Sequence, residues 1–538
     1  MNKTGKIATL CLLFTLLIGA FTVSAQNPYL PLWEHIPDGE PYVFEDPDRP
    51  GEYRVYIYGS HDSLKDNYCG REQVVWSAPV DDLGNWRYDG IIFKSVHDRD
   101  GNLLNPSGEG DVLFAPDVTE RIEGGRKVYY LYPNTQAWGR NSMMARSLRP
   151  DGPFEVFNWS KEDPKQTEGI LGFDPAVFVD DDGRVYGYWG FDKSWAAELD
   201  PVTMATVKEG TEVVNLIPSR LEDEVYRFFE ASSIRKIEDK YVFVYSRWTR
   251  EGEFGLPGSN FTLAYAYGDN PLGPFTYGGT IIDGRARGTD QAGNVISTAY
   301  PSGNTHGSIC EIDGRWWVFY HRQAGLSEYC RQAMVAPIEV KVEKGPGGKV
   351  FISEGEVTSE GFATEGLDPM MNTPAGIACH VTGPVQSYAT YPNYHFSGSY
   401  FKATYLDTDS FSGPFNHKIP DSPVVNNTDG SVVGYKYFNF DKFRRCEDIV
   451  LEFSLVPGGY DGELVIMADS PYESRGGKVI GTLELNASMS QEMTELQADI
   501  DLAGMKPKGK HAVYFVFRSA SEGKSLCDLY SFRFRSGK

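Results

Sequence analysis

The chain has 538 residues, with 74 acidic side chains against 51 Lys and Arg and a formal charge of −23. So acidic a surface repels nucleic acid and anionic membranes, which leaves a neutral partner as the expectation. Aromatics make up 14% of the chain, with 57 Gly and 32 Pro; strand-sized apolar runs between turn residues dominate, so the chain reads as all-β with more than one domain.

Residues 1–25 have the form of a cleavable signal peptide. Lys3 and Lys6 give a positive start, Ile7 to Ala20 an apolar run, and Val23-Ser24-Ala25 a small-residue cleavage site. The run is too short to span a bilayer comfortably. A secreted or periplasmic protein without membrane insertion is expected. Six Cys follow the leader without CxxC spacing, which argues against zinc. An exported compartment permits disulfides, and Cys310 with Cys330 is the first pair to test, although buried free thiols suit most of the six.

From residue 38 one unit recurs five times: a polar residue, a strand, a tight turn and a second strand. Asp38 opens Glu40-Pro41-Tyr42-Val43-Phe44 and then Tyr53 to Tyr58. Asp117 opens Val118-Thr119, a Gly124-Gly125 turn and Val128 to Tyr132. Asp174 opens Pro175-Ala176-Val177-Phe178-Val179, the turn Asp180-Asp181-Asp182-Gly183 and Val185 to Trp189. Glu230 and His306 open the fourth and fifth copies. Further strands ending near Trp86, Phe154 and Phe275 bring most copies to about four strands, the content of one propeller blade. The pattern predicts a five-bladed β-propeller over 26–342, with the five leading residues turned toward one axis. The Asp180-Asp181-Asp182 run lacks the other ligands of a calcium loop, and a hairpin turn accounts for it.

Residues 343–378 read as a linker with connecting strands, including Lys344-Gly345-Pro346-Gly347-Gly348. From 379 to 538 short, evenly spaced strands such as Ile449 to Phe453 and His511 to Phe517 predict a β-sandwich of jelly-roll type.

Three carboxylates leading three inner strands suit glycoside hydrolysis. One protonates the leaving oxygen, one activates water on the opposite face of the sugar, and a third can raise the acid's pKa. The order of motifs is similar to that of glycoside hydrolase family 43: Pro37-Asp38-Gly39, Ala115-Pro116-Asp117, Phe173-Asp174-Pro175, Phe229-Glu230-Ala231 and His306-Gly307-Ser308. The resemblance implies a five-bladed propeller and an inverting glycosidase. It makes Asp38 the general base, Asp174 the residue that tunes and orients the acid, and Glu230 the general acid; Asp117 falls on a usually structural position. His306 is then an axial histidine near a central water or calcium. Arg331 falls where relatives place a substrate-contacting arginine. Trp138 is expected to stack on sugar at the pocket mouth, and Phe114 and Phe173 to form pocket walls. Gly39 after Asp38 and Ala231-Ser232 after Glu230 depart from the family's usual Asp-Pro and Glu-Gly-Pro.

Residues 380–536 resemble carbohydrate-binding module family 6 through Asp429 to Tyr435, Met467 to Pro471 and Gly509 to Phe517. Asp528 stands where that family usually has a sugar-binding Asn, so packing on the propeller is at least as good a role. The expectation is a secreted enzyme releasing terminal arabinofuranose or xylose from a plant oligo- or polysaccharide. A galactan- or galactofuranose-directed relative and a silent sugar-binding propeller are the alternatives. No cofactor is required; the resemblance leaves room for a structural calcium ion at the axis or in the C-terminal domain.

Overall fold

The computed structural model describes residues 25–405, 421–444 and 446–536. Residues 1–24 of the expected signal peptide, which runs to Ala25, lie outside them. Among the described residues no helix is long and apolar enough to cross a membrane.

Five antiparallel meanders occupy the N-terminal part. The first comprises β1 (Glu40–Glu45), β2 (Tyr53–Tyr58), β3 (Gln73–Pro79) and β4 (Arg87–Phe93). The second comprises β5 (Asp117–Glu123), β6 (Arg126–Tyr132), β7 (Ala145–Ser147) and β8 (Glu155–Val156). The third comprises β9 (Ala176–Val179), β10 (Val185–Trp189), β11 (Trp195–Leu199) and β12 (Val214–Asn215). The fourth comprises β13 (Phe228–Ile237), β14 (Lys240–Arg247), β15 (Thr262–Gly268) and β16 (Thr276–Asp283). A ribbon of β17 (Arg287–Thr289) and β18 (Val295–Ser297) precedes the fifth, which is β19 (Ser308–Ile312), β20 (Arg315–Gln323) and β21 (Arg331–Ile338).

Alternation of apolar side chains gives each sheet two faces to bury. Tyr56 and Tyr58 of the first sheet pack on Val118, Tyr129 and Leu131 of the second. Tyr130 and Tyr132 meet Val177, Val185 and Leu199 of the third. Tyr186 and Tyr188 meet Phe228, Phe243 and Tyr245 of the fourth. Val242, Val244 and Tyr265 meet Ile309, Val318 and Met334 of the fifth. Trp317 and Phe319 return to Val55, Ile57 and Trp76 of the first. Each buried aromatic or aliphatic side chain contributes about 1.5–3 kcal/mol, so these five cores hold the sheets face to face.

The leading strands are also linked edge to edge. Tyr42 donates to Asp117 Oδ1 at 2.6 Å, and Val177 N–H donates to Asp117 Oδ2 at 2.6 Å. Ala231 N–H donates to Asp174 Oδ2 at 3.0 Å. The Ser233 and Ser308 hydroxyls lie 2.7 Å apart, and Gly39 bridges Gly307 in parallel. A Cβ at Gly307 would meet the Phe319 carbonyl at 2.0 Å, which is why the last link needs glycine. Asp117 is thus a clasp between three strands, the structural role its motif position implies.

The hairpin β22 (Val340–Val342) and β23 (Val350–Ile352) leads into the C-terminal part. One sheet there contains β28 (Tyr400–Phe401), β29 (Val424–Val425), β36 (Cys527–Ser536), β31 (Ile449–Pro457) and β34 (Thr494–Asp499), with β24 (Thr373–Pro374) joined to β36. The other contains β25 (His380–Thr382), β30 (Val432–Asn439), β35 (Lys510–Arg518), β32 (Gly462–Ala468) and β33 (Lys478–Leu485). Phe453 and Phe532 of one sheet pack on Phe515 and Tyr435 of the other. The hairpin β26 (Tyr388–Thr390) and β27 (Asn393–His395) stands apart from both. Tyr300 and Cys330 of the N-terminal part share the C-terminal core. Cys310 and Cys330 are both free thiols, as are the other cysteines among the described residues.

Candidate active site

Asp38, Asp174, Glu230 and His306 line one cavity of about 600 Å³. Asp38, Asp174 and His306 sit two residues ahead of β1, β9 and β19, and Glu230 is the third residue of β13. The backbone is bent at each carboxylate. Asp38 has φ 59°, Asp174 φ 48°, and Ala231, beside Glu230, φ 66°. Register shifts on both sides of Glu230 mark a bulge in β13. Left-handed backbone outside glycine is uncommon and concentrates at functional sites, and bulges re-aim side chains there.

Each carboxylate is buried and held differently. Asp38 is 4% exposed. Its Oδ1 accepts from Arg331 Nη1 at 3.0 Å and its Oδ2 from the Ser60 hydroxyl at 2.5 Å. His321 Nε2 donates to the Asn304 carbonyl at 2.8 Å, which leaves Nδ1 to accept from Asp38 N–H at 3.3 Å. Burial pushes the His321 pKa down to about 3, so its ring is neutral. Burial alone would raise the Asp38 carboxyl; Arg331, with His306 and the Ser60 bond, outweighs it and holds Asp38 below the ordinary aspartate value.

Glu230 goes the other way. Burial first, then the Asp174 charge, push it well above the ordinary glutamate value, against the pull of His306 and Arg331. Asp174 accepts from Ala231 N–H at 3.0 Å and from Asn134 Nδ2 at 2.9 Å. His306 Nδ1 lies 3.4 Å from Asp174 Oδ2, and Nε2 lies 3.8 Å from Glu40 Oε1. Burial opposes a charge on His306, but Asp174, Glu40 and Asp38 outweigh it and raise its pKa well above the usual histidine value.

Arg331 is 2% exposed and central to the site. Besides Asp38, it donates through Nε and Nη2 to Asp62 at 2.9 and 2.8 Å. Asp62, Ser60, His321 and Asn134 carry no repeat phase, and sequence reasoning missed them. Phe114 and Phe173 line the cavity as expected, but they begin a longer arc. Phe114–Phe173, Phe173–Phe191, Phe191–Phe229 and Phe229–Trp248 have ring centroids 6.4, 5.4, 4.9 and 4.8 Å apart. Trp138 is not part of the wall. It is 85% exposed at the tip of a turn in which Arg140 N–H donates to Ala137 O, and Arg140 is itself fixed to Asp111.

A cavity with a raised carboxylic acid and a depressed carboxylate is the equipment for hydrolysing a glycosidic bond. The model of the glycosyl hydrolases family 43 matches residues 43–344. The chain belongs to glycosyl hydrolase family 43. A xylosidase/arabinosidase of Thermoclostridium stercorarium is 34% identical over 523 residues, spanning 94% of this chain and 98% of its own. An arabinoxylan arabinofuranohydrolase of Paenibacillus polymyxa is 28% identical over 350 residues, 59% of this chain and 52% of its own. Among solved structures, a family 43 arabinoxylan arabinofuranohydrolase from Bacillus subtilis in complex with cellotetraose aligns over 96% of this chain and 98% of its own, with 20% identity and a TM-score of 0.44. This family 43 chain is therefore a glycosyl hydrolase.

Among the described residues no group of three or more His, Cys, Asp or Glu is arranged to hold a metal ion. His306 and Glu40 Oε1 are buried near the axis without hydrogen-bond partners. They offer one imidazole and one carboxylate, whereas calcium takes six to eight oxygens.

Proposed function

We propose that this enzyme removes terminal pentoses, α-L-arabinofuranose or β-xylose, from plant oligo- or polysaccharides with inversion. The observation that carries the reading is the opposed setting of Asp38 and Glu230 in one cavity. Ionised Asp38 takes a proton from water as the water oxygen attacks the anomeric carbon. Protonated Glu230 gives its proton to the glycosidic oxygen as the carbon–oxygen bond breaks. Asp174 works on Glu230 through its charge and fixes the adjoining backbone through Ala231 N–H. Arg331 keeps Asp38 ionised. Exchange with solvent then returns one proton to Glu230 and removes one from Asp38.

The pentose assignment draws on the named activities of the xylosidase/arabinosidase and arabinofuranohydrolase relatives. The five meanders, with five intervening cores and linked leading strands, support reading 26–342 as a five-bladed propeller; the two C-terminal sheets packed through Phe453, Phe515 and Phe532 support reading 379–538 as a β-sandwich, with 343–378 as the connecting segment and the likeness to a carbohydrate-binding module resting on the sequence motifs. The leader supports export. Turnover of p-nitrophenyl arabinofuranoside, xyloside and galactoside tests the sugar, and a galactoside preferred over both pentosides would overturn it. Proton NMR of the first product, read before mutarotation, tests the mechanism; retained anomeric configuration would overturn Asp38 as base.

A further inference from the structure

The cavity wall on the Asp38 side includes a residue from the C-terminal part. Tyr391, at the turn between β26 and β27, lines the cavity beside Tyr68, Glu328 and Arg331. It is 68% exposed, whereas the carboxylates beneath are nearly fully buried.

The hairpin is fastened to the N-terminal part by backbone pairing and by the Tyr394 side chain. Glu328 N–H donates to Pro392 O at 2.9 Å, and Tyr394 N–H donates to Leu326 O at 3.0 Å. Ser327 and Asn393 form an antiparallel bridge. Tyr394 is buried, its ring 4.9 Å from Tyr300 and its hydroxyl donating to Ser302 O at 3.1 Å. Tyr388 stacks on His395 at 4.6 Å, which stiffens the hairpin from behind. Tyr394 thus anchors the hairpin, while Tyr391 remains the open aromatic surface. Below it, the Tyr68 hydroxyl bonds to Glu328 and its ring carries Arg331 at 5.0 Å.

Sugars are bound by an apolar ring face together with directed hydrogen bonds, and this wall offers both across from the phenylalanine arc. We infer that the hairpin Tyr388–His395 is a wall of the substrate site and that Tyr391 determines specificity by stacking on a sugar ring at the mouth while Glu328 accepts a hydrogen bond from one of its hydroxyls. The inference rests on the glycosidase reading above. It makes the C-terminal part a component of the active site, in addition to anything it binds by itself.

The test uses the full chain and whichever glycoside the wild type hydrolyses best among the arabinofuranoside, xyloside and galactoside, together with a matching oligosaccharide. Tyr391→Ala should raise KM for the oligosaccharide roughly tenfold with a smaller change in kcat, the scale of one lost aromatic contact. Tyr391→Phe, which keeps the ring, should recover most of that loss. Glu328→Gln should raise KM without moving the pH limbs. Because Tyr391 is exposed, the melting temperature of Tyr391→Ala should stay within a degree or two of wild type. A KM within twofold of wild type, or a loss that accompanies a lowered melting temperature and is not recovered by Phe, would overturn the inference. The pentose reading is judged separately, from the wild type's preference alone.

Discussion

Arg331→Met removes the cation that sets the base. Arg331 Nη1 lies 3.0 Å from Asp38 Oδ1. At an effective dielectric of about 20 that contact is worth roughly 5.5 kcal/mol before relaxation. Reorientation and water entry reduce the observable effect, and an opposite charge at this range ordinarily moves a carboxylate by about 1–3 pH units. The acid limb of kcat/KM, where activity falls as Asp38 takes a proton, should therefore move up by about that amount. Stability should follow with a definite sign. Asp38, held below its ordinary value, contributes stability that is present above the unfolded aspartate value and lost as pH falls through the folded one. The variant loses that contribution, so the gap to wild type should be widest near neutrality and narrow on acidification. Leaving a buried charge without its partner costs about 3–5 kcal/mol. Because Asp62 is stranded with Asp38, Arg331→Met with Asp62→Asn should recover part of that loss. The assays are a pH series of kcat/KM and denaturant unfolding at neutral and mildly acidic pH. An unmoved acid limb in a folded variant would refute the claim that Arg331 holds Asp38 ionised.

Glu230→Gln should abolish most activity on oligosaccharides and spare more on activated aryl glycosides, which need little protonation of the leaving group; equal loss on both would exclude the acid role. Asp174→Asn removes the charge that helps raise Glu230, so the alkaline limb, where Glu230 loses its proton, should shift to lower pH, and a pH series of kcat/KM reads it directly. Dialysis against EDTA should leave kcat unchanged, and restoration by added calcium of a rate lost to EDTA would show that a metal takes part.

The leading residues were legible because a repeat puts them in phase. Asp38, Asp174 and His306 occupy the same position two residues ahead of their strands, while Glu230 reaches the cavity through a bulge. The family resemblance singled out Arg331 as a substrate contact; its pairing with Asp38 and Asp62 is seen only in the structure. Its counter-charge Asp62 and the supporting Ser60 and His321 were not legible, because burial and partners decide their roles and neither is written in local spacing. Aromatics were the least legible class. In a chain with 14% aromatic residues, an aromatic beside a motif carries little information about which way its ring faces. Trp138 is exposed and outside the cavity lining, whereas Phe191, Phe229 and Trp248 complete the wall from separate segments. Tyr391 is the extreme case: 353 positions separate it from Asp38 along the chain, and the contacts that bring it to the cavity are made by Glu328, Pro392 and Tyr394. Repeat phase thus locates the carboxylates and the histidine that meet in the cavity, and the shape of the space around them is set by contacts between distant segments. The sugar preference of this enzyme is accordingly written in the walls, and exchanging Tyr391 or Glu328 is a more direct way to change it than exchanging any residue of the repeat.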